Sequence, residues 1–335
     1  MIKKFRFFAT LFAILALLTA CKNDATDNPP TTENETTEPV KIPRFDRDSA
    51  FAYVKKQTEF GPRVPNTEAH RQARVWMVQT FKEFGATVIE QNFDATAYTG
   101  EVYKATNIIA QYNPEHAKRV ILAAHWDSRH VADHDPSVDN RDEYVMGADD
   151  GASGVGVLLE IARTIQANSI DMGVDIILFD VEDNGDGSED ADMATWCLGS
   201  QYWSRNFHRP DYDAKYGILL DMVGAKGARF LQDQVSLAYA PKVVRKVWGL
   251  AQAMGYGNFF VQQRGPGITD DHLFVNQIAK IPMIDIINLP KDGSPPFVDH
   301  WHTIEDTIDK IDPRTLRAVG QVILATIYKE SGGQL

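Results

Sequence analysis

The chain has 335 residues, 44% of them hydrophobic, and a formal net charge of −12. That length and apolar content supply the core of one large domain or two small ones. The acidity excludes nucleic acid as a partner, because binding it requires a basic face that neutralises phosphates; a solvated acidic surface accounts for the charge.

Lys3, Lys4 and Arg6 precede an apolar run, Phe7–Leu18. The run is shorter than the roughly 20 residues that cross a bilayer, so it reads as a signal segment and not a membrane span. Leu18-Thr19-Ala20-Cys21 has the form of a bacterial lipobox, in which Cys21 is lipidated and becomes the first mature residue. The alternative is an ordinary signal peptide with a chance cysteine. Residues 1–21 are therefore expected to be a lipoprotein signal peptide, and the chain an exported periplasmic or cell-envelope lipoprotein touching the membrane only through its lipid anchor. Residues 22–42 are rich in Thr, Asn, Pro and Glu, cannot bury enough surface to fold, and read as a disordered tether. With Cys21 lipidated, Cys197 stands alone and no intramolecular disulfide is possible.

Residues 43–335 contain no repeat and no second linker, which predicts a single domain. Helical spacing covers Ser49–Thr58 and Glu68–Phe84; in the second, Ala73, Val75, Trp76, Val78 and Phe81 share a broad face and Gly85 falls at the C′ position. Asn107–Gln111 is a short strand. Arg119–Ala124, Val174–Phe179, Gly217–Leu220 and Ile281–Ile287 are apolar strands. Val155–Ala167, Pro241–Met254 and Pro313–Ser331 are helices. Continuous apolar strands alternating with helices predict an α/β fold with a mostly parallel sheet covered on both faces. In such sheets ligands bind beyond the carboxyl ends of the strands. The residues after three of these runs are His125-Trp126-Asp127, Glu182-Asp183 and Asp221, so all three end in a His or a carboxylate.

Five segments carry the chemistry: His125-Trp126-Asp127-Ser128, Gly147-Ala148-Asp149-Asp150-Gly151-Ala152-Ser153-Gly154, Asp180-Val181-Glu182-Asp183, Leu220-Asp221-Met222-Val223-Gly224 and Trp301-His302-Thr303. Their His, Asp and Glu side chains suit zinc, and a catalytic zinc takes three protein ligands and keeps one position open. A neighbouring Glu outside the ligand set can shuttle protons. Adjacent carboxylates at 182 and 183 point different ways at a strand end, so one can bind metal while the other faces substrate.

The order of these segments resembles the co-catalytic zinc aminopeptidases of the M28 type, whose fold is a three-layer α/β sandwich around a mixed, mostly parallel sheet. Two further features resemble the animal-type glutaminyl cyclases within that superfamily. One is Asp270-Asp271-His272 followed by Phe274 and Ile281-Pro282-Met283; the other is Trp301 directly before His302. The resemblance spans roughly residues 45–332. It implies an enzyme that cyclises N-terminal glutamine of peptides or proteins to pyroglutamate with release of ammonia, using one zinc ion per chain. It implies Asp150, Asp183 and His302 as zinc ligands and Glu182 as general base and acid. Asp221 and Asp270 would hydrogen-bond around the substrate, Trp301 would wall the pocket, and Trp196 would form a second wall with Trp203 as its rival. The chain departs from the animal enzymes in three ways: Asp183 stands where they carry a second glutamate, Ala124 and Val155 where they carry a disulfide, and the acidic loop Asn184–Thr195 is longer.

Other readings compete. Asp149 and Asp150 could be plain N-caps of the helix that follows. His125 and Asp221 match second-metal ligands of the aminopeptidases, although a hydrogen-bonding role is expected. His272 and His300 are expected behind the ligands or on the surface, His130, His134 and His208 in solvent, Trp203 and Trp248 in the core. Asp270 could brace a turn. At the level of function, the alternatives are a di-zinc aminopeptidase using His125, Asp150, Asp183, Asp221 and His302, and a non-catalytic binding ectodomain.

Overall fold

The computed structural model describes residues 39–188, 190–290 and 295–335. The signal segment, Cys21 and the tether up to residue 38 lie outside the described residues. Val40–Leu335 form one compact unit.

Local sequence signals set the first elements. Helix α1, Arg47–Thr58, starts where Asp46 accepts hydrogen bonds from the amides of Asp48 and Ser49. Helix α2, Glu68–Glu83, is capped by Thr67, which accepts from His70 N. It ends as expected at Gly85, whose φ of 78° is open to glycine. There Gly85 N donates to Lys82 O and Ala86 N to Phe81 O, the two bonds of a Schellman cap.

The chain then enters an antiparallel hairpin of β1, Thr87–Thr96, and β2, Val102–Tyr112. β3 (Arg119–His125), α3 (Ala152–Ala167), β4 (Gly173–Phe179), α4 (Leu198–Arg205) and β5 (Gly217–Asp221) follow. After them come β6 (Phe230–Gln232), α5 (Gln234–Tyr239), α6 (Pro241–Ala253), β7 (Phe260–Arg264), α7 (Asp271–Phe274), β8 (Met283–Ile287) and α8 (Pro313–Ser331).

The main sheet has the order β1-β2-β4-β3-β5-β8. Its β4, β3, β5 and β8 run parallel, and β2 and β1 are antiparallel additions at one edge. β6 and β7 pair as a small separate ribbon. Because side chains alternate along a strand, β3 feeds both faces. Val120, Leu122 and Ala124 join the core under α1, α3, α6 and α8, which includes Leu158, Ile161, Trp248 and Ile323. Ile121 and Ala123 join the opposite core with Trp203, Tyr212 and Val275. The expected α/β sandwich is therefore present.

Helix α3 begins three residues before the expected Val155, since Gly151, with φ 91°, takes the N-cap position and Ala152 is already helical. It lies very close to β5: a Cβ added at Gly154 would sit 2.4 Å from Leu220 O. That approach brings the residues before α3 against the end of β5.

Candidate active site

All four parallel strands end at one edge, and the residues just past them converge. Asp127, two residues after β3, organises the end of β4: its Oδ1 accepts from Glu182 N at 3.1 Å and its Oδ2 from Asp183 N at 3.2 Å. Cys197 N donates to Glu182 O and Leu198 N to Val181 O, both at 2.9 Å. Val181 has φ 53°, rare for a β-branched residue. Met222, after Asp221, and His302 itself also lie in the left-handed region, at φ 47° and 52°. Such conformations cost about 1–3 kcal/mol each and persist where surrounding structure imposes them, often at functional sites.

The three expected ligands meet. His302 Nε2 lies 2.9 Å from Asp183 Oδ1 and 3.8 Å from Asp150 Oδ2. One ligand atom from each of the three falls within 4.8 Å of the others. Asp183 Oδ2 is buried without a hydrogen-bond partner. A second triple, His125, Asp150 and Asp221, satisfies the same distance and shares Asp150. His125 Nε2 is 2.9 Å from Asp150 Oδ1 and 3.3 Å from Asp221 Oδ1.

The electrostatics are those of an acidic cluster out of water. Burial pushes the Glu182 carboxyl well above the ordinary range, and the charges of Asp270 and Asp183 raise it further against the pull of His125. Burial, then Asp150 and Asp270, raise Asp221 likewise. Burial and Asp150 raise Asp183. Buried carboxylates in such number need a cation or protons. The orphaned Asp183 oxygen and the mixed carboxylate–imidazole donor set fit a divalent cation such as zinc.

The cluster forms the floor of a cavity of about 380 Å³ whose lining includes Glu182, Asp221, Asp270, Trp196, Trp301 and His302. Trp301 stacks on His302 with ring centroids 3.8 Å apart. Trp196 lies parallel to His302 at 6.0 Å, anchored by its Nε1 donating to Asp186 O at 3.0 Å. Trp203 is fully buried against Phe179 and Tyr212, so of the two rivals only Trp196 lines the pocket. Trp248 is a core residue, as expected.

The remaining candidates fall in different places, some against expectation. Neither Asp149 nor Asp150 caps α3; no side chain does. Asp149 instead accepts from Gly224 N at 2.8 Å and faces His300 Nε2 at 3.2 Å, which puts His300 behind the ligand loop. His208 is not free in solvent, because its Nδ1 accepts from Trp203 Nε1 at 3.1 Å. His130 is half-buried with Nδ1 2.8 Å from Asn184 Oδ1. His134 is exposed, yet it lines the pocket and contacts Trp301. His272 is buried, 3.3 Å from Asp233 Oδ1. Asp270 caps the short α7 and also lines the pocket. The positions Ala124 and Val155 are both buried and apolar.

Sequence reasoning missed a supporting shell. Asp133 Oδ1 lies 3.2 Å from His302 Nδ1, and Arg129 Nη2 is 2.6 Å from Asp133 Oδ2. Arg129 also lies over the Trp196 ring at 4.6 Å. Asp306 accepts from Asp149 N at 2.8 Å and Asp150 N at 3.0 Å, fixing the ligand loop. Cys197 Sγ is 3.2 Å from Glu182 Oε1. Only the proximity of Asp306 to His302 in the sequence could have marked one of these.

A mixed sheet with helices on both faces and a His/Asp/Glu cluster at the carboxyl ends of its parallel strands defines an α/β enzyme architecture with a candidate metal-binding cluster. Residues 107–327 match peptidase family M28, and the chain belongs to that family. A solved Zn-dependent exopeptidase from Parabacteroides distasonis is 48% identical, with a TM-score of 0.84, and the match covers 86% of this chain and 99% of that one. A Bacteroides thetaiotaomicron glutaminyl cyclase, solved bound to N-acetylhistamine, is also 48% identical, with a TM-score of 0.83 and the same coverage. Among sequence relatives, the Drosophila melanogaster glutaminyl-peptide cyclotransferase is 24% identical over 289 residues, 78% of this chain and 75% of that protein. The chain spans 43% of the length of an Escherichia coli relative, YfbL, to which it is 30% identical over 159 residues.

Proposed function

We propose that the protein is a zinc-dependent glutaminyl-peptide cyclotransferase acting on peptides and proteins with N-terminal glutamine. The observation that carries this reading is the pairing of Asp270 with Glu182 on the floor of a pocket walled by Trp196 and Trp301: one ligand atom from Glu182 and one from Asp270 lie within 4.8 Å of each other. The proposal assigns Asp150, Asp183 and His302 to a single zinc ion, which when bound supplies Lewis acidity to the γ-amide carbonyl.

The residues of this chain do the rest. Trp196 and Trp301 fold the glutamine side chain back so that its own α-amine faces the amide carbon, an orientation that can supply much of the acceleration. Asp221 and Asp270 hold the amide and amine by hydrogen bonds. The amine nitrogen bonds to the γ-carbonyl carbon, Glu182 takes the amine proton, and the same proton returns to the leaving nitrogen as the C–N bond breaks and ammonia departs. A buried Glu whose pKa burial raises above the ordinary carboxylate range suits both directions of that transfer.

A di-zinc M28 aminopeptidase is the second reading, favoured by the His125, Asp150 and Asp221 triple. The deciding experiment gives purified protein lacking its first 21 residues a Gln-peptide and Leu-amide. Ammonia release from the Gln-peptide with Leu-amide left intact supports the cyclase; cleavage of Leu-amide without cyclisation overturns it. The proposal extends to location. The Leu18–Cys21 lipobox supports export and anchoring of the chain to the membrane through lipid on Cys21, and no helix among the described residues is long and apolar enough to cross a membrane.

A further inference from the structure

The described residues hold one cysteine, Cys197, buried at the start of α4. Neither proposed reaction assigns it a task. It is not packed merely as a small apolar group. Its backbone sits in the left-handed region at φ 57°, and its N–H donates to Glu182 O at 2.9 Å. Its Sγ lies 3.2 Å from Glu182 Oε1, while Glu182 Oε2 lies on the other side, 3.8 Å from His125 Nδ1. A carboxylate offers only acceptors, so the thiol is the donor in this contact. Burial and the neighbouring Glu182 charge push the thiol well above its ordinary range, which keeps the proton on sulfur. The helix behind it has no room to shift, because a Cβ on Gly199 would sit 2.2 Å from Asp180 O.

We propose that Cys197 is a positioning residue for the acid–base step: its thiol engages Glu182 Oε1, stops the carboxylate rotating, and leaves Oε2 to take and return the proton. A thiol is a weak donor. It therefore orients the carboxylate while withdrawing less basicity than a hydroxyl or ammonium would. The inference rests on Glu182 as the proton shuttle, a role common to the cyclase and aminopeptidase readings.

The test compares Cys197→Ala, Cys197→Ser and Cys197→Gly in the full mature chain, each also combined with Glu182→Gln. Glycine is included because φ 57° is unstrained for it, so that variant lacks the donor without relying on a strained backbone. Assays use whichever of the Gln-peptide and Leu-amide the wild type turns over. Activity on Leu-amide alone sinks the cyclase reading and leaves this comparison intact; a wild type inert to both overturns the inference as well. Removing the donor should lower kcat about tenfold, the size of one hydrogen bond to a charged group, with KM and zinc content unchanged. Serine should restore kcat to within about threefold, because it keeps a donor of similar reach. In the Glu182→Gln background, removal of the thiol should cost nothing further. Wild-type kcat in the alanine and glycine variants overturns the proposal. So does an equal loss in the serine variant, or a loss that adds in full to that of Glu182→Gln.

Discussion

Asp133 Oδ1 lies 3.2 Å from His302 Nδ1, across the ring from Nε2, which faces Asp183 Oδ1 at 2.9 Å. A carboxylate on one imidazole nitrogen fixes the tautomer and raises the basicity of the other, and losing such a partner typically costs about 10–100-fold in metal affinity. Asp133→Asn should therefore weaken zinc binding by about that factor, read by competition with a chelator of known affinity. Unfolding in excess zinc should stay close to wild type, because Asp133 is partly exposed on the pocket side and carries little core packing. Unchanged zinc affinity would remove Asp133 from the supporting shell.

The two carboxylates at the end of β4 can be separated by measuring metal and turnover on the same variants. Asp127 holds both of their backbone amides, so neither substitution should disturb the strand end. Glu182→Gln should keep zinc and KM while kcat falls by about 10²–10⁴-fold, the usual loss of general acid–base catalysis. Asp183→Asn should lose zinc and activity together. The opposite pattern, metal lost in Glu182→Gln and retained in Asp183→Asn, would exchange the two roles.

The parallel strands and the residues at their ends were legible because each buried strand is a continuous apolar run, and because His125 and Asp221 close or follow such runs and Glu182-Asp183 lie a few residues past another. β1 was not legible: as an edge strand it carries polar residues such as Glu90, Gln91 and Asn92, and only Phe93 and Ala95 are buried. α4 was hidden by its short length and by Cys197, whose left-handed backbone starts it without any side-chain cap. The choice between Trp196 and Trp203 needed tertiary structure. Both follow the Glu182-Asp183 pair, and only packing shows that Trp203 fills the core beneath the sheet while Trp196 turns to His302. Asp133 was hidden because it meets the distant His302, Arg129 because its role is to brace Asp133, and Asp306 because it acts on backbone amides, with only its closeness to His302 in the sequence as a signal.

Glu330, near the end of α8, is 1% exposed and accepts hydrogen bonds from Lys215 and Lys246, with Tyr216 Oη at 3.4 Å and Lys118 Nζ at 3.7 Å. Burial alone would raise its pKa; the bonds from Lys215 and Lys246 override that and hold it below the ordinary glutamate range. A carboxyl lowered in the folded state stabilises the protein above its unfolded pKa, about 4.3, and that contribution is lost as pH falls through the folded value. Glu330→Gln should cost about 1–3 kcal/mol at neutral pH, with the half-exposed lysines keeping it toward the lower end. Urea unfolding should show the gap between variant and wild type closing as pH drops below about 4. A gap that is absent at neutral pH, or that widens in acid, would contradict the assignment.

His125 decides how many metals the site takes. Its Nε2 is in direct contact with Asp150 Oδ1 and Asp221 Oδ1, at 2.9 and 3.3 Å, and its Nδ1 lies 3.6 Å from Asp127 Oδ1. A second ion would take the place of these direct contacts, as the zinc would between His302 Nε2 and Asp183 Oδ1. Burial opposes a charge on His125, but the nearby carboxylates of Asp127, Asp150 and Asp221 outweigh it and raise the imidazole well above its ordinary range. A protonated ring would supply there the positive charge a second metal would bring, while Asp150 remains free to use Oδ2 toward His302 and Asp183. Metal analysis of the pure protein should accordingly find one zinc per chain. His125→Ala should retain that zinc, because His302, Asp183 and Asp150 are untouched, while activity falls as Asp221 loses its imidazole partner beside Asp150. Two zinc ions in the wild type, with one lost in His125→Ala, would make the His125 triple a second metal site and transfer the chain to the aminopeptidase reading.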